Sequence, residues 1–199
     1  MKKIMFNDKF GLTKAVLNGK KTMTRRIVSE KLLERWSDYE AFCNSVCTEG
    51  IITERQYYNE INFYLDNSKY KIGEVVAVAQ SYKDAIVRFI PLGSFNYPAE
   101  STKAWNNKMF VQPDLMPHQI QITDIFIQKL HDISDEDCLK EGINEATRDF
   151  PWYWYEYNNK KFIFNEPRQA FASLIDKVYV NGTWEENLYV FGYEFKLIK

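Results

Sequence analysis

The chain has 199 residues, of which 45% are hydrophobic and 27% are charged, a composition typical of a single globular domain. Its net charge of −1 argues against a protein that covers extended duplex DNA, although a small basic pocket for one nucleotide is compatible with it. Because there are two histidines, no glycine-rich phosphate loop and no apolar run of membrane-spanning length, we expect no metal, no cofactor and no membrane partner.

The first 28 residues predict a strand, a helix and a second strand. An apolar run over residues 3–6 predicts the first strand. Apolar residues on one face then predict a helix up to about residue 18, and Gly19 supplies its C-terminal stop. Residues 21–28 follow as the second strand.

Two segments in the middle of the chain differ from the rest in composition, and we interpret both as insertions. Residues 29–69 contain a helical period over Glu30–Cys47 and an aromatic-rich, helical stretch over 53–65. A strand is predicted over 75–78. Residues 84–117 hold most of the prolines and predict loops and a short hairpin.

The clearest strand lies in the C-terminal half. Isoleucines alternate with polar residues over 119–130, and one slip at Thr123 and Asp124 predicts a β-bulge. Residues 144–165 are aromatic without a regular period, so we interpret them as an irregular third insertion.

Two helices and a final strand complete the pattern. Ser134 caps a short helix that ends at Gly142, and Pro167 opens a longer helix with an apolar face. Alternating aromatic residues predict the last strand over 189–197. Strands scattered among helices at irregular spacing favour an α+β fold over a doubly wound parallel sheet.

The cysteines and the first residues bear on the cellular compartment. Cys43, Cys47 and Cys138 have no disulfide-framework spacing, so we expect reduced thiols. The first eight residues become polar too early for a signal peptide. We therefore expect a cytoplasmic protein.

The segment from Gly19 to Arg26 is the most informative part of the sequence. It places four cations and two hydroxyls within eight residues, at a predicted helix-to-strand junction. Such a junction can bind an anionic or polar ligand and can activate a nucleophile. The candidate ligand-binding residues are Lys20, Thr22, Arg25 and Arg26.

Lys21 and Thr24 are the candidate catalytic pair in this segment. Residues three apart face opposite ways in a regular strand, so the pair can cooperate only if Lys21 lies in the turn before the strand. A partly buried Lys21 beside Arg25 or Arg26 would have a lowered pKa and would act as general base for a Thr24 nucleophile. The alternative is a solvated loop lysine beside a threonine that only favours strand structure.

Glu141 is the third candidate catalytic residue. A carboxylate in the last turn of a helix faces the negative end of the helix dipole, which is unfavourable without compensation. A role as proton donor or as partner of Lys21 would explain this position, and so would an exposed glutamate at a frayed helix end. Of the two arginines, we favour Arg26 over Arg25 for binding a phosphate or carbonyl, because Arg26 shares a predicted strand face with Thr24.

The aromatic run over 150–157 has two interpretations. Its rings can stack on a nucleobase, or they can pack on the core as a self-supporting loop, and we favour packing. His118 and His131 lie at the two ends of the predicted strand over 119–130, and we interpret both as structural.

The order of these motifs resembles the ASCH (activating signal cointegrator homology) family of the PUA-like superfamily. The matching features are Gly-x-Lys-Thr-x-Thr-x-Arg at 19–26, Gly-Glu-Val at 73–75, Ser-x-Glu-Asp-x-x-x-Glu-Gly-Ile at 134–143 and the aromatic last strand. Gly-Thr-Trp-Glu at 182–185 resembles a longer form found in phage and prophage proteins. The resemblance implies one domain over residues 1–199, a mixed β-barrel with flanking helices, carrying the insertions 29–69, 84–117 and 144–165.

The resemblance also implies a pocket for RNA or a modified nucleoside. PUA-like domains often bind RNA, and some small ASCH proteins are cofactor-free amidohydrolases that deacetylate N(4)-acetylcytidine with a lysine, a threonine and a glutamate. Residue by residue, these correspond to Lys21, Thr24 and Glu141. The alternative is a non-catalytic RNA- or nucleotide-binding module in a phage-related context. RNA cleavage, linked to a related branch, is disfavoured because the sequence lacks paired histidines.

The sequence departs from the small ASCH enzymes in two ways. The three insertions can cover or reshape the pocket. Arg25 also stands where those enzymes carry an apolar residue. Both departures bear on the choice of substrate.

Overall fold

The computed structural model describes residues 1–48, 59–84, 103–147, 153–157 and 162–198, and these ranges contain two β-sheets with helices around them. The strands are β1 (Lys2–Ile4), β2 (Met23–Ile27), β3 (Val75–Val78), β4 (Gln119–Lys129), β5 (Asn144–Thr147), β6 (Tyr153–Tyr157), β7 (Phe162–Phe164) and β8 (Tyr189–Leu197). The helices are α1 (Leu12–Leu17), α2 (Glu30–Thr48), α3 (Glu60–Asp66), α4 (Lys103–Asn106), α5 (Asp135–Lys140), α6 (Pro167–Val178) and α7 (Thr183–Glu186).

A five-stranded mixed sheet forms the centre of the fold, in the order β1-β3-β4-β8-β2. The β1–β3 pair is parallel, and the other neighbouring strands are antiparallel. This sheet and its helices confirm the α+β class. Among the described residues no backbone pairing joins the edge strands β1 and β2, so the sheet does not close into the expected barrel.

The bulge predicted in the long strand is present. The register between β4 and β8 shifts between Ile122 and Asp124. Ile122 and Ile125 are both buried, whereas Thr123 and Asp124 are exposed. One extra residue therefore keeps the isoleucines on the core side of the sheet.

Helix α6 contributes to the hydrophobic core, which also contains buried residues of the central sheet and of α1. Pro167 occupies the first turn of α6, where its missing N–H is not needed. The helix then buries one apolar face in this core, and each large side chain on that face contributes about 1.5–3 kcal/mol by burial. The buried residues of this face are Ala170, Phe171, Leu174 and Ile175.

The prediction that residues 144–165 are irregular is wrong. The described part of this segment forms a second, antiparallel sheet in the order β5-β6-β7. Tyr155 and Tyr157 of β6 stand two positions apart, as do Phe162 and Phe164 of β7, and this spacing is typical of strands. Tyr157 is buried, its ring stacks on Phe164, and its hydroxyl is 2.9 Å from that of Ser173 on α6. This ring packs on the core, as favoured, while residues 150–152 of the run lie outside the described residues.

The two central insertions are only partly described. The α2 helix follows the predicted period from Glu30, and α3 covers part of the predicted helix over 53–65, whose residues 53–58 lie outside the described ranges. Residues 103–117 contain α4 and a 3-10 turn, while most of the predicted hairpin segment, 85–102, is not described. Within the described ranges, no helix is both long and apolar enough to cross a membrane.

Candidate ligand cavity and buried charge cluster

A cavity of about 480 Å³ lies between the segment that follows β1 and strand β2. This volume is within the range of about 300–1,000 Å³ that is usual for small-molecule sites. Helix α6 supplies an apolar wall, and Glu141, the residue after α5, also lines the cavity. The polar residues in its lining that matter most below are Lys21, Thr24, Arg25, Arg26, Lys108 and Glu141.

Lys21 lies in the turn between α1 and β2. Gly19 has a left-handed φ of 69° and ends the helical segment, and the N–H groups of Lys20 and Lys21 both donate to the carbonyl of Ala15. Strand β2 begins only at Met23, two residues later than predicted. The position of Lys21 in the turn, which the candidate catalytic pair requires, is therefore confirmed.

Lys21 and Glu141 form a buried ion pair. Their residues are only 2% and 4% exposed. The Nζ of Lys21 donates to Oε2 of Glu141 at 2.5 Å and to its backbone carbonyl at 2.6 Å. Two alternatives are therefore wrong: a solvated Lys21 in a loop, and an exposed Glu141 at a frayed helix end.

The pKa of Lys21 is lowered from its ordinary value. The main cause is desolvation, because burial disfavours the charged ammonium. The carboxylate of Glu141 opposes this shift, whereas the positive charges of Arg26 and Arg25 add to it. A lowered pKa gives Lys21 a larger fraction of neutral amine than an exposed lysine has, as a general base requires.

Arg25 is a second buried cation beside this pair. Its Nη1 donates to Oε1 of Glu141 at 3.2 Å, and its Nη2 donates to Oδ2 of Asp137 at 2.7 Å. Glu141 caps the C-terminus of α5, and its two cationic partners compensate for the unfavourable helix dipole there. Together with Lys21, these residues form a cluster of two cations and two carboxylates with no formal net charge.

Arg26 has a different environment. Its Nη2 donates to the backbone carbonyl of Met5, and no carboxylate of the described residues lies within 4.0 Å of its guanidinium. It is half-buried and lines the cavity. A guanidinium without a carboxylate partner is suited to an anionic ligand group. This geometry is consistent with Arg26, rather than Arg25, as the arginine that binds a phosphate or carbonyl, and that assignment stays a prediction.

Thr24 is 5% exposed and lines the same cavity. It pairs in register with Tyr193 of β8, which fixes its backbone in the sheet. Among the described residues, its hydroxyl has no hydrogen-bond partner. This hydroxyl is therefore available to a ligand.

Lys20 and Thr22 do not line this cavity. Lys20 is exposed and borders a separate small depression beside α1. Thr22 acts through its backbone, which donates to the carbonyl of Lys140 and accepts from the N–H of Phe195. The structure thus brings together Lys21, Thr24, Arg25, Arg26 and Glu141, and leaves these two predicted ligand-binding residues outside.

Two residues of the site were not among the predicted site residues, although residues 106–108 were considered as a segment within reach of a pocket. Lys108 reaches the cavity from the segment after α4, where its Nζ is 2.8 Å from Oδ2 of Asp8 and donates to the carbonyl of Phe6. Asp137 holds Arg25, although its sequence position suggested only a favourable charge at the start of α5. The spacing of Asp137 four residues before Glu141 is a usable signal, whereas no local signal points to Lys108.

A comparison with protein-family models, with curated proteins and with solved structures found no match. The resemblance to the ASCH family therefore depends on the motifs alone. No group of three or more metal-ligating side chains occurs in the part of the chain that the structure describes. Burial raises the pKa of the Cys138 thiol to about 12, so this thiol is not a reactive nucleophile.

Proposed function

We propose that the chain is an ASCH-type protein that hydrolyses the acyl amide of N(4)-acetylcytidine or a similar acylated nucleoside without a cofactor. The observation that carries this proposal is the convergence of Lys21, Thr24 and Glu141 on one cavity of suitable size. A hydroxyl, a lysine with lowered pKa and a buried carboxylate are the groups that nucleophilic amide hydrolysis requires.

We further propose that the central sheet is a PUA-like barrel that is open along one seam. Two contacts support a strongly curved sheet. The ring of Phe6, just after β1, is 5.7 Å from that of Phe195 on β8, although two strands separate β1 from β8. Arg26 on β2 donates to the carbonyl of Met5, which follows the opposite edge strand. The cavity lies at this seam.

In the proposed reaction, Oγ1 of Thr24 attacks the amide carbonyl while the neutral amine of Lys21 accepts the hydroxyl proton. The tetrahedral intermediate then collapses, the C–N bond breaks, and this proton passes to the exocyclic amine of the leaving cytidine. Water attacks the resulting threonine ester, with Lys21 again accepting a proton. Acetate leaves and the hydroxyl of Thr24 is restored.

Glu141 acts in this proposal as the partner that positions the amine of Lys21 and relays its proton. Arg25 donates to the other oxygen of this carboxylate at 3.2 Å, and Asp137 holds the Arg25 guanidinium at 2.7 Å. A residue fixed by two partners keeps its geometry during proton transfer, which favours catalysis.

Acetate release from N(4)-acetylcytidine by the purified protein tests the proposal. We expect Thr24→Ala and Lys21→Ala each to lower kcat/KM by about 10³-fold or more, because each removes a group that participates in bond making. Lys196→Ala, which removes an exposed lysine on β8 outside the cavity, is the matched control and should leave the rate unchanged. Circular dichroism spectra should show that all three variants fold.

Two results would reject the amidohydrolase. One is the absence of acetate release from acylated cytidines by the unsubstituted protein. The other is a rate in Thr24→Ala close to that of the unsubstituted protein, which would remove the hydroxyl from the mechanism.

One observation favours a second candidate function, a non-catalytic binding module for RNA or a nucleotide. The cavity lining contains more cations than carboxylates, which suits a phosphate-bearing ligand. The module predicts salt-sensitive binding of short single strands without turnover. The charged lining residues are five cations, Lys9, Lys21, Arg25, Arg26 and Lys108, and two carboxylates, Asp8 and Glu141.

A further inference from the structure

A second cavity, of about 510 Å³, lies beside the first one. The two cavities share a wall that consists of Met5 and Arg26. The lining of the second cavity includes the cations Lys3, Arg26 and Lys69 and contains no carboxylate among the described residues. It is therefore a positively charged site that continues the proposed active site along the seam between β1 and β2.

Two of these three cations are free to bind an anion. Arg26 and Lys69 have no carboxylate within 4.0 Å among the described residues. Lys3 differs, because its Nζ donates to three backbone carbonyls, those of Lys108, Met109 and Val111. Lys69 is exposed, and its Nζ lies 5.3 Å from the centre of the Tyr70 ring.

The floor of the second cavity is apolar and aromatic. Tyr70 and Tyr193 are buried and pack edge to face at 5.3 Å, and Phe191 lies 6.0 Å from Tyr193. Buried rings that support each other form a rigid surface against which a planar ligand group can pack. Together with the cationic rim, this floor fits an aromatic group attached to an anion.

We propose that the second cavity binds the phosphate and the neighbouring base of a ligand whose acylated base occupies the first cavity. The natural substrate is then a phosphodiester-linked single strand of at least two nucleotides rather than a free nucleoside. Arg26, in the shared wall, contacts the linking phosphate, and Lys69 contacts the second nucleotide. This inference depends on the function proposed for the first cavity.

Binding to the Thr24→Ala variant tests this inference without turnover. Three probes are titrated calorimetrically at fixed low salt: N(4)-acetylcytidine, its 5′-monophosphate, and a dinucleoside monophosphate in which the acetylated cytidine follows uridine, so that its 5′-phosphate is the linking phosphate. We expect the dinucleotide to bind about tenfold or more tightly than the nucleoside, because it adds a phosphate contact and base packing.

A charge reversal in the second cavity tests whether that cavity causes the tighter binding of the dinucleotide. Added to Thr24→Ala, Lys69→Glu should lower the affinity for the dinucleotide about tenfold and leave the affinity for the nucleoside unchanged. Lys196→Glu makes the same charge change at an exposed position of β8 and should affect neither ligand.

Equal affinities for the dinucleotide and the nucleoside would overturn the proposal, and so would equal losses for both ligands in Lys69→Glu. A 5′-monophosphate that binds as tightly as the dinucleotide would overturn the assignment of a base to the second cavity. If the unsubstituted protein releases acetate but the dinucleotide and the nucleoside bind equally well, the amidohydrolase proposal stands and ligand binding in the second cavity is rejected. If the dinucleotide binds more tightly than the nucleoside but the unsubstituted protein releases no acetate, the amidohydrolase proposal is rejected and ligand binding in the second cavity stands.

Discussion

At the residue scale, the buried cluster around Glu141 joins stability to the proposed chemistry. Lys21 and Arg25 share one carboxylate, and Asp137 balances the second positive charge. Removing one member of a buried ion pair typically costs about 3–5 kcal/mol, because the partner is left as an uncompensated charge. The cluster therefore constrains which variants can be used to test the mechanism.

The lowered pKa of Lys21 predicts a specific dependence of stability on pH. Lys21 titrates near 10.5 in the unfolded chain and at a lower pH in the folded protein. Between these two values the unfolded chain binds more protons, so the free energy of unfolding that Lys21 contributes rises with pH. The desolvation cost is fully present below the lowered pKa and disappears as the pH approaches 10.5.

Urea unfolding of the unsubstituted protein and of Lys21→Met at several pH values below 10.5 checks this dependence. We expect the stability of the unsubstituted protein relative to Lys21→Met to increase as the pH rises. Tyr70 and Cys138 have raised pKa values, so their titration lowers the free energy of unfolding as the pH rises. Because both proteins contain these two residues, this contribution cancels in the comparison. A constant difference across the pH series would contradict a lowered pKa of Lys21.

Residue-scale prediction from the sequence succeeded where the constraint was local. The argument that Lys21 must precede the strand follows from strand geometry, and Gly19 marks the turn in the sequence. The partners of Arg25 were not predictable, because Asp137 and Glu141 are more than 100 residues away along the chain and reach it only through the docking of α5.

At the element scale, the pairing of β4, β8 and β2 positions the buried arginine. Gly192 of β8 lies opposite Arg25 on one side and Phe126 on the other. A Cβ at Gly192 would be 2.2 Å from carbons of the Phe126 ring, so the ring occupies the space of the missing side chain. This ring lies 5.6 Å from the guanidinium carbon of Arg25, in cation–π geometry.

Gly192→Ala should therefore destabilise the protein by about 1–3 kcal/mol, the usual cost of overpacking. The double variant Gly192→Ala/Phe126→Ala should lose less stability than the sum of the two single variants, because the second change removes the clash. Urea denaturation of the four proteins measures this coupling. Strict additivity would show that the ring does not occupy the space above Gly192.

Element-scale prediction from the sequence was most successful where one face of an element is buried. One-sided burial causes the spacing of apolar residues along α6 and the break in apolar–polar alternation in β4, so both features are visible in the sequence. The second sheet was missed because aromatic residues occur in loops as well as in strands. The alternation of Tyr155 with Tyr157, and of Phe162 with Phe164, was the available signal.

At the scale of the whole molecule, both cavities lie along the seam between the two edge strands. Arg26 and Met5 form the wall between them, and they also connect β2 to the end of β1. A ligand bound there contacts both edges of the sheet at once. Ligand binding should therefore stabilise the whole sheet.

Thermal unfolding of Thr24→Ala with and without N(4)-acetylcytidine measures this stabilisation. At a ligand concentration of about 100 times Kd, the free energy of unfolding should increase by about 2.7 kcal/mol. For a domain of this size, that corresponds to a rise in Tm of roughly 5–10 °C. Acetate alone should give no rise, and a Tm unchanged by the nucleoside would argue against a nucleoside site in the first cavity.

The sequence by itself determined the features that depend on neighbouring residues: the α+β class, the bulge in β4, the cap at Ser134, the helix start at Pro167, and the turn that holds Lys21. Local backbone geometry and one-sided burial fix these features within a few residues. Only the tertiary structure decided that Lys21 meets Glu141, that the sheet remains open, and that two cavities share Arg26. Those contacts join segments more than 20 residues apart, and strand order and register, which no local pattern encodes, bring them together.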